Sequence, residues 1–156
     1  EVGLIILVIL MLIGGSPGST AGGMKTSTIA VICASIISVF KNKGNAELFR
    51  KRISDENVKK AFAIFFLYLF IFLFSGLIIS KIENVSVLSG LFETASAIGT
   101  VGLTLGITPT LGLVSKIILI MLMFFGRIGG LTLIYATLGE GKKQFYNYPL
   151  EKIMVG

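Results

Sequence analysis

The chain has 156 residues, of which 54% are hydrophobic and only 14% charged, with a mean hydropathy of +0.92. Soluble domains carry about 25% charged residues, so this composition excludes an ordinary soluble globule and reads as a single-unit, all-α integral membrane protein. The net charge of +6 does not point to nucleic acid, because the basic residues concentrate in one stretch between apolar runs, the distribution found on the cytoplasmic side of membranes.

The sequence enters an apolar run directly after Glu1, with no basic n-region, so it does not read as a signal peptide; it reads as the C-terminal part of something longer. Residues 2–13 would cover about 18 Å as a helix, too little for a hydrocarbon core of about 30 Å. There follows Gly14-Gly15-Ser16-Pro17-Gly18-Ser19-Thr20-Ala21-Gly22-Gly23-Met24-Lys25-Thr26, and then a second apolar run over residues 29–40. Pro17 lacks an N–H and disfavours helix at Ser16. The simplest reading of residues 1–40 is one membrane-crossing element broken over residues 14–26. Non-helical backbone at that depth must be buried in protein or line a wet cavity, and broken helices mark ion and substrate sites in transporters. An ordinary polar connection between two short helices is the plain alternative. A phosphate-binding loop fits poorly: Gly18 and Gly23 have its spacing, but Met24 intervenes before Lys25-Thr26 and no βα pattern surrounds them. Cys33, the single cysteine, lies in the second run and reads as a small buried packing residue; without histidine, neither a disulfide framework nor a Cys/His metal site can form. No directly bound cofactor is expected.

Residues 41–60 are rich in Lys and Arg and read as a cytoplasmic loop, either merely solvated or a docking surface for a cytosolic partner. Ser54-Asp55-Glu56-Asn57 offers helix-capping residues at its end. Residues 61–84 are long and apolar enough to span a bilayer, with Lys81 and Glu83 at the outer boundary. In residues 85–112, Leu88, Leu91, Phe92, Ala95 and Ile98 recur at helical spacing over a length that suits a re-entrant half-helix. That helix delivers Ser96 to Thr104. Within it Thr100-Val101-Gly102 matches the first three residues of the potassium-filter sequence Thr-Val-Gly-Tyr-Gly, whose carbonyls replace water around the ion; Leu103 and Thr104 depart from it. The candidate ion filter is therefore Thr100, Val101, Gly102 and Leu103, with potassium held at the backbone carbonyls of Thr100, Val101 and Gly102 and favoured by the negative end of the preceding helix. Glu93 either bonds the filter's backbone or faces an outer vestibule. Residues 113–139 read as a return span with one buried charge, Arg127, among Gly126, Gly129 and Gly130. Intramembrane charges default to functional hypotheses. Counting rises puts Arg127 roughly 17 Å from the inner end of its helix and the glycine loop at about 24 Å, so that the two meet just below the filter. Residues 140–156 form a cytoplasmic tail whose apolar end, Ile153-Met154-Val155, wants burial, as against another subunit.

These residues together resemble the Trk/Ktr/HKT potassium uptake superfamily. The stretch from Leu91 through Gly99-Thr100-Val101-Gly102-Leu103-Thr104 to Pro109 resembles its fourth filter repeat. The loop of residues 14–26 looks like the intramembrane gate loop of the third repeat, and Phe125-Gly126-Arg127-Ile128-Gly129 is similar to the last helix, where an arginine faces that loop. The ending Tyr148-Pro149-Leu150-Glu151-Lys152-Ile153-Met154-Val155-Gly156 resembles the Ktr branch. The resemblance implies helix–re-entrant loop–helix repeats around one pore, of which this chain holds the end of the third and all of the fourth. It implies the gate residues Gly14, Gly15, Ser16, Gly18, Ser19, Thr20, Gly22, Gly23, Lys25 and Arg127. It further implies a plasma-membrane homodimer with a cytosolic ring of nucleotide-binding regulatory subunits, and potassium uptake in which the sodium coupling and the strictness of selectivity stay open. The competing readings are a subunit of a homotetrameric cation channel, which would not need the broken element of residues 1–40, a nucleotide-binding enzyme, and a membrane scaffold.

Overall fold

The computed structural model describes residues 1–42, 44–49 and 51–129. The elements in order are α1 (Val2–Leu12), α2 (Thr26–Phe40), a hairpin of β1 (Glu47–Leu48) and β2 (Lys51–Arg52), α3 (Asp55–Glu83), α4 (Val87–Gly99), a 3-10 turn (Thr108–Thr110) and α5 (Leu113–Ile128). Among the described residues, α3 is the one helix long and apolar enough to cross a membrane. It begins at Asp55 rather than residue 61. Asp55 and Glu56 sit in its first turn, where acidic side chains complement the helix dipole. Glu56 pairs with Lys60 at 2.5 Å, and that hydrogen bond, with the lysine's charge, holds the Glu56 carboxyl below its usual range. The basic loop is thus shorter than its composition indicates, and it contains the hairpin, with Glu47 opposite Arg52 and Leu48 opposite Lys51.

The centre of the fold is α4. Every residue from 92 to 99 is buried, and α1, α3 and α5 all pack on it, while α2 packs on α3. The halves of the broken element therefore lie against different partners. Three residues explain how tightly α4 is gripped. A Cβ on Gly90 would come within 2.7 Å of the Gly76 carbonyl oxygen of α3. One on Gly99 would strike the Met11 carbonyl of α1. Thr94, fully buried, turns its hydroxyl inward along its own helix to donate to the carbonyls of Gly90 and Leu91, both at 3.1 Å. Small residues at such crossings let backbones approach where apolar side chains have no water to escape from. The far surface is strongly apolar: Phe66, Phe70 and Phe74 on α3 and Leu113, Ile117 and Ile120 on α5 are exposed.

The start of α5 is stapled to the end of α3, because Glu83 accepts from the Gly112 N–H at 2.8 Å and from the Ser115 hydroxyl at 2.5 Å. Within the expected return span over residues 113–139, α5 ends at Ile128, and Gly129 adopts φ +87°, a conformation open to glycine and unfavourable to other residues. One expectation is corrected here. Cys33 is exposed on α2 rather than buried, since the buried side chains of that helix are Ile32, Ala34 and Ser38. The remainder of the expected span and the tail with Ile153-Met154-Val155 lie outside the described residues.

The α3–α4 crossing is testable. Gly90→Val in the intact protein drives atoms into the Gly76 carbonyl, and overpacking of this kind destabilises by about 1–3 kcal/mol. Thermal unfolding in detergent should show a lowered Tm, whereas Gly3→Ala, where an added Cβ meets nothing within 4 Å, should leave it unchanged.

Candidate functional site

The glycine loop is a closed lariat. Helix α1 ends at Leu12, and Ile13 pairs with Met24 as a parallel bridge. The Met24 N–H donates to the Leu12 carbonyl at 3.2 Å, the Gly14 N–H to the Met24 carbonyl at 2.7 Å and the Thr26 N–H to the Gly15 carbonyl at 3.3 Å. Residues 16–21 are exposed and residues 22–24 buried. Gly14 backs onto the Gly22 carbonyl with no room for a side chain, and Gly23 takes φ +77°. At the tip, the Ser19 N–H donates to the Ser16 carbonyl at 2.9 Å and the Ala21 N–H to the Ser19 hydroxyl at 3.2 Å; an added Cβ on Gly15 would lie 2.7 Å from that hydroxyl, while one on Gly18 meets open space. Three consecutive carbonyls of the tip are taken by cations. Lys25 Nζ donates to Ser19 at 3.1 Å and to Ala21 at 2.6 Å, and Arg127 Nη1 donates to Thr20 at 2.6 Å.

The second component is the C-terminal end of α4. Thr100 caps the helix in the left-handed conformation, φ +52° and ψ +38°. Its N–H donates to the Ala97 carbonyl at 3.1 Å, and the Val101 N–H to that of Ser96 at 3.0 Å. This pair of bonds normally carries glycine at the left-handed position. A β-branched residue there is a genuine outlier, and such strain costs about 1–3 kcal/mol. Beyond it Val101 and Leu103 are 46% and 48% exposed, and Gly102 takes φ +84°. Among the described residues, the carbonyls of Thr100, Val101, Gly102 and Leu103 accept no hydrogen bond. The outgoing limb is anchored by Glu93, which is only 4% exposed. Its Oε1 accepts from the Thr104 hydroxyl at 2.5 Å and the Leu105 N–H at 3.0 Å, and its Oε2 accepts from the Thr108 hydroxyl at 2.8 Å. The Thr104 hydroxyl in turn accepts from the Gly106 N–H at 2.9 Å. The one backbone group that Glu93 bonds, the Leu105 N–H, lies just beyond the candidate filter of residues 100–103.

Lariat and helix end meet. The Gly22 N–H donates to Thr100 Oγ1 at 2.9 Å. A Cβ on Gly22 would lie 2.6 Å from Thr100 Cγ2 and 3.1 Å from the Gly126 carbonyl oxygen. Gly126 itself abuts the Ile98 carbonyl, where any side chain would collide. The buried half of the loop is thus wedged between the last turns of α4 and α5. One expectation changes: Arg127 is not a buried charge but an exposed one in the last turn of α5, reaching the loop from its open side. Ser16, Pro17 and Gly18 stand at the exposed tip and make no hydrogen bond to residues 100–103 among the described residues. The sequence reading missed the Thr100 side chain, treating that residue as a carbonyl only, and it missed Thr104 and Thr108 as partners of Glu93. Threonines eleven and fifteen residues beyond a carboxylate leave no periodic signal.

Glu93→Ala should release the limb from Thr104 to Thr108. Bonds to a charged acceptor contribute about 1.5–3 kcal/mol, so hydrogen exchange at the Leu105 amide should accelerate by about tenfold or more; an unchanged rate would show that the limb is held by something else.

The sequence profile of the family described as TrkH, cation transport protein, matches residues 1–145. The chain is 40% identical to the potassium/sodium uptake protein NtpJ of Enterococcus hirae, over 99% of this chain and 36% of that protein. It is 36% identical to the Ktr system potassium uptake protein B of Bacillus subtilis, over 98% of this chain and 34% of that one. To the protein of the same description from Vibrio alginolyticus it is 35% identical, over 98% of this chain and 33% of the relative. The chain thus spans about a third of the length of these relatives.

Proposed function

The chain belongs to the TrkH family of cation transport proteins, and from that premise we propose that it forms one quarter of the ion path of a potassium uptake transporter. The observation that carries this reading is the run of four consecutive carbonyls, Thr100 to Leu103, left without donors at the negative end of a buried helix. Carbonyl dipoles fixed in that way can replace the hydration shell of a monovalent cation. Residues 85–112 act as a re-entrant pore segment: α4 descends, Thr100 to Leu103 face the ion, and the limb held by Glu93 returns to the outer surface. Other segments of the intact protein supply the rest of the filter.

The loop of residues 14–26 obstructs the path on the far side of Thr100. Gly14, Gly22 and Gly23 allow its neck to pack without side chains, and Lys25 and Arg127 hold its tip by the carbonyls of Ser19, Thr20 and Ala21. The family's activity is transport rather than a chemical reaction, so these residues act by position and charge. The membrane is the plasma membrane, with the basic loop inside. The working assembly is a homodimer with a cytosolic nucleotide-binding ring that moves the loop. Potassium is the cargo, and sodium, named together with potassium for the relative from Enterococcus hirae, is a second cargo or a coupling ion.

Two variants of the intact transporter test this. Arg127→Ala removes the Thr20 bond and should raise potassium flux by freeing the loop; flux at the unsubstituted level would end the pinning role. Gly102→Ser places a side chain at φ +84°, which should distort the carbonyl run and raise the KM for potassium. An unchanged KM would remove Gly102 from the filter.

A further inference from the structure

The geometry points to Thr100 as the coupler between the loop and the ion site, so that loop position and cation affinity are thermodynamically linked through one hydroxyl. This inference rests on the proposed ion path and goes beyond it. Among the described residues, Thr100 is the one member of the candidate filter whose side chain hydrogen-bonds the loop: its Oγ1 accepts the Gly22 N–H at 2.9 Å, and Gly22 has no Cβ with which to push it away. It is also the residue of that segment held in a left-handed conformation despite a branched side chain, φ +52°. Strained backbone persists only where its surroundings over-determine it. Two of the supports, the bonds to Ala97 and Ser96, belong to α4 itself. The third comes from the loop.

Withdrawal of the loop removes that third support and lets the Thr100 peptide relax, which re-aims the carbonyl of Thr100 and, through the chain, that of Val101. The site that held the cation is then weaker while the path below it is open, so the ion is released in the direction the gate has cleared. Linkage runs both ways. A cation at the carbonyls of Thr100 to Leu103 fixes the backbone that the Gly22 N–H recognises, and so seats the loop more firmly. Glycine at the left-handed position would be the unstrained choice, and it would carry no hydroxyl for the loop to find. Thr100 is therefore a positioning residue as well as a carbonyl donor.

The experiment reads loop position and transport separately in the intact protein. Gly18→Cys, at a position where an added side chain meets open space, reports loop exposure by its rate of reaction with a thiol reagent, in a background without other cysteines that includes Cys33→Ala. With potassium exchanged for choline at constant ionic strength, the reporter should react about fivefold or more slowly in potassium, the lower range of ordinary coupling. Thr100→Val, which keeps the shape and deletes the hydroxyl, should abolish that dependence, and Thr100→Ser should keep it. If Thr100→Val does not accumulate, Thr100→Ala deletes the same group and gives the same comparison. A reporter indifferent to potassium, or a hydroxyl-less variant that responds as fully as the unsubstituted protein, overturns the coupling. Rubidium uptake into proteoliposomes by the same preparations separates the two levels: no uptake by the unsubstituted protein counts against the ion path itself, whereas uptake with potassium-independent labelling counts against the coupling alone.

Discussion

Everything in this structure depends on how closely other backbones approach α4, at its first turn and at its last. That helix is buried on all sides from residue 92 to 99, and its neighbours reach it through positions where a methyl group would not fit. Gly90 meets Gly76, Gly99 meets Met11, and Gly126 meets Ile98. Contacts of this kind have no side chains to adjust, so they transmit position directly. A helix gripped so near its C-terminus delivers the following residues to a fixed place, which any site built from bare carbonyls requires. Glu93 extends the same rigidity past the turn, because one carboxylate gathers three donors from the returning limb.

The loop exploits the same closeness from below. Its buried half has no side chain beyond Met24 at the neck, and it fits between α4 and α5 only because Gly22 presents an N–H to Thr100 at one side and bare backbone to Gly126 at the other. Its exposed half is held by long, mobile cations instead. The division has a physical consequence. The wedge is specific and geometrically exacting, while the tether is electrostatic and reversible, since an exposed arginine or lysine gives up a carbonyl to water at modest cost.

Much of this was legible in the sequence, and the parts that were not share a cause. Helix α4 announced itself by the spacing of Leu88, Leu91, Phe92, Ala95 and Ile98, and Pro17 among glycines marked the break. Counting rises along two helices pointed to Arg127 beside the loop, and the two do meet at Thr20, although the count ran through Gly129, where α5 has already ended. What the sequence hid were contacts made by side chains whose role depends on an unusual backbone. Thr100 in a filter-like string reads as a carbonyl, and only its left-handed φ turns the hydroxyl toward Gly22. Thr104 and Thr108 read as polar loop residues until the limb folds back over Glu93. Hydropathy located only the apolar part of α3, from residue 61, whereas its start was legible in the capping residues, with Ser54 at the N-cap.

The loop and the end of α4 contain two short runs of consecutive carbonyls, and their contrast is the strongest argument that they do different things. Those of Ser19, Thr20 and Ala21 are each met by a cation the chain carries itself, from Lys25 or Arg127. Those from Thr100 to Leu103 are met by no donor among the described residues. Both runs are at or next to glycine-rich turns, so composition does not distinguish them; the partners do. On the proposed ion path, a carbonyl run met by the chain's own cations is closed to a passing one, whereas a run without donors at the negative end of a helix suits a monovalent ion once other segments complete the ring. Among the described residues, one hydrogen bond joins the loop to the segment from Thr100 to Leu103, from the N–H of Gly22 to the hydroxyl of Thr100. That bond falls on the residue of the segment that combines a branched side chain with a left-handed backbone.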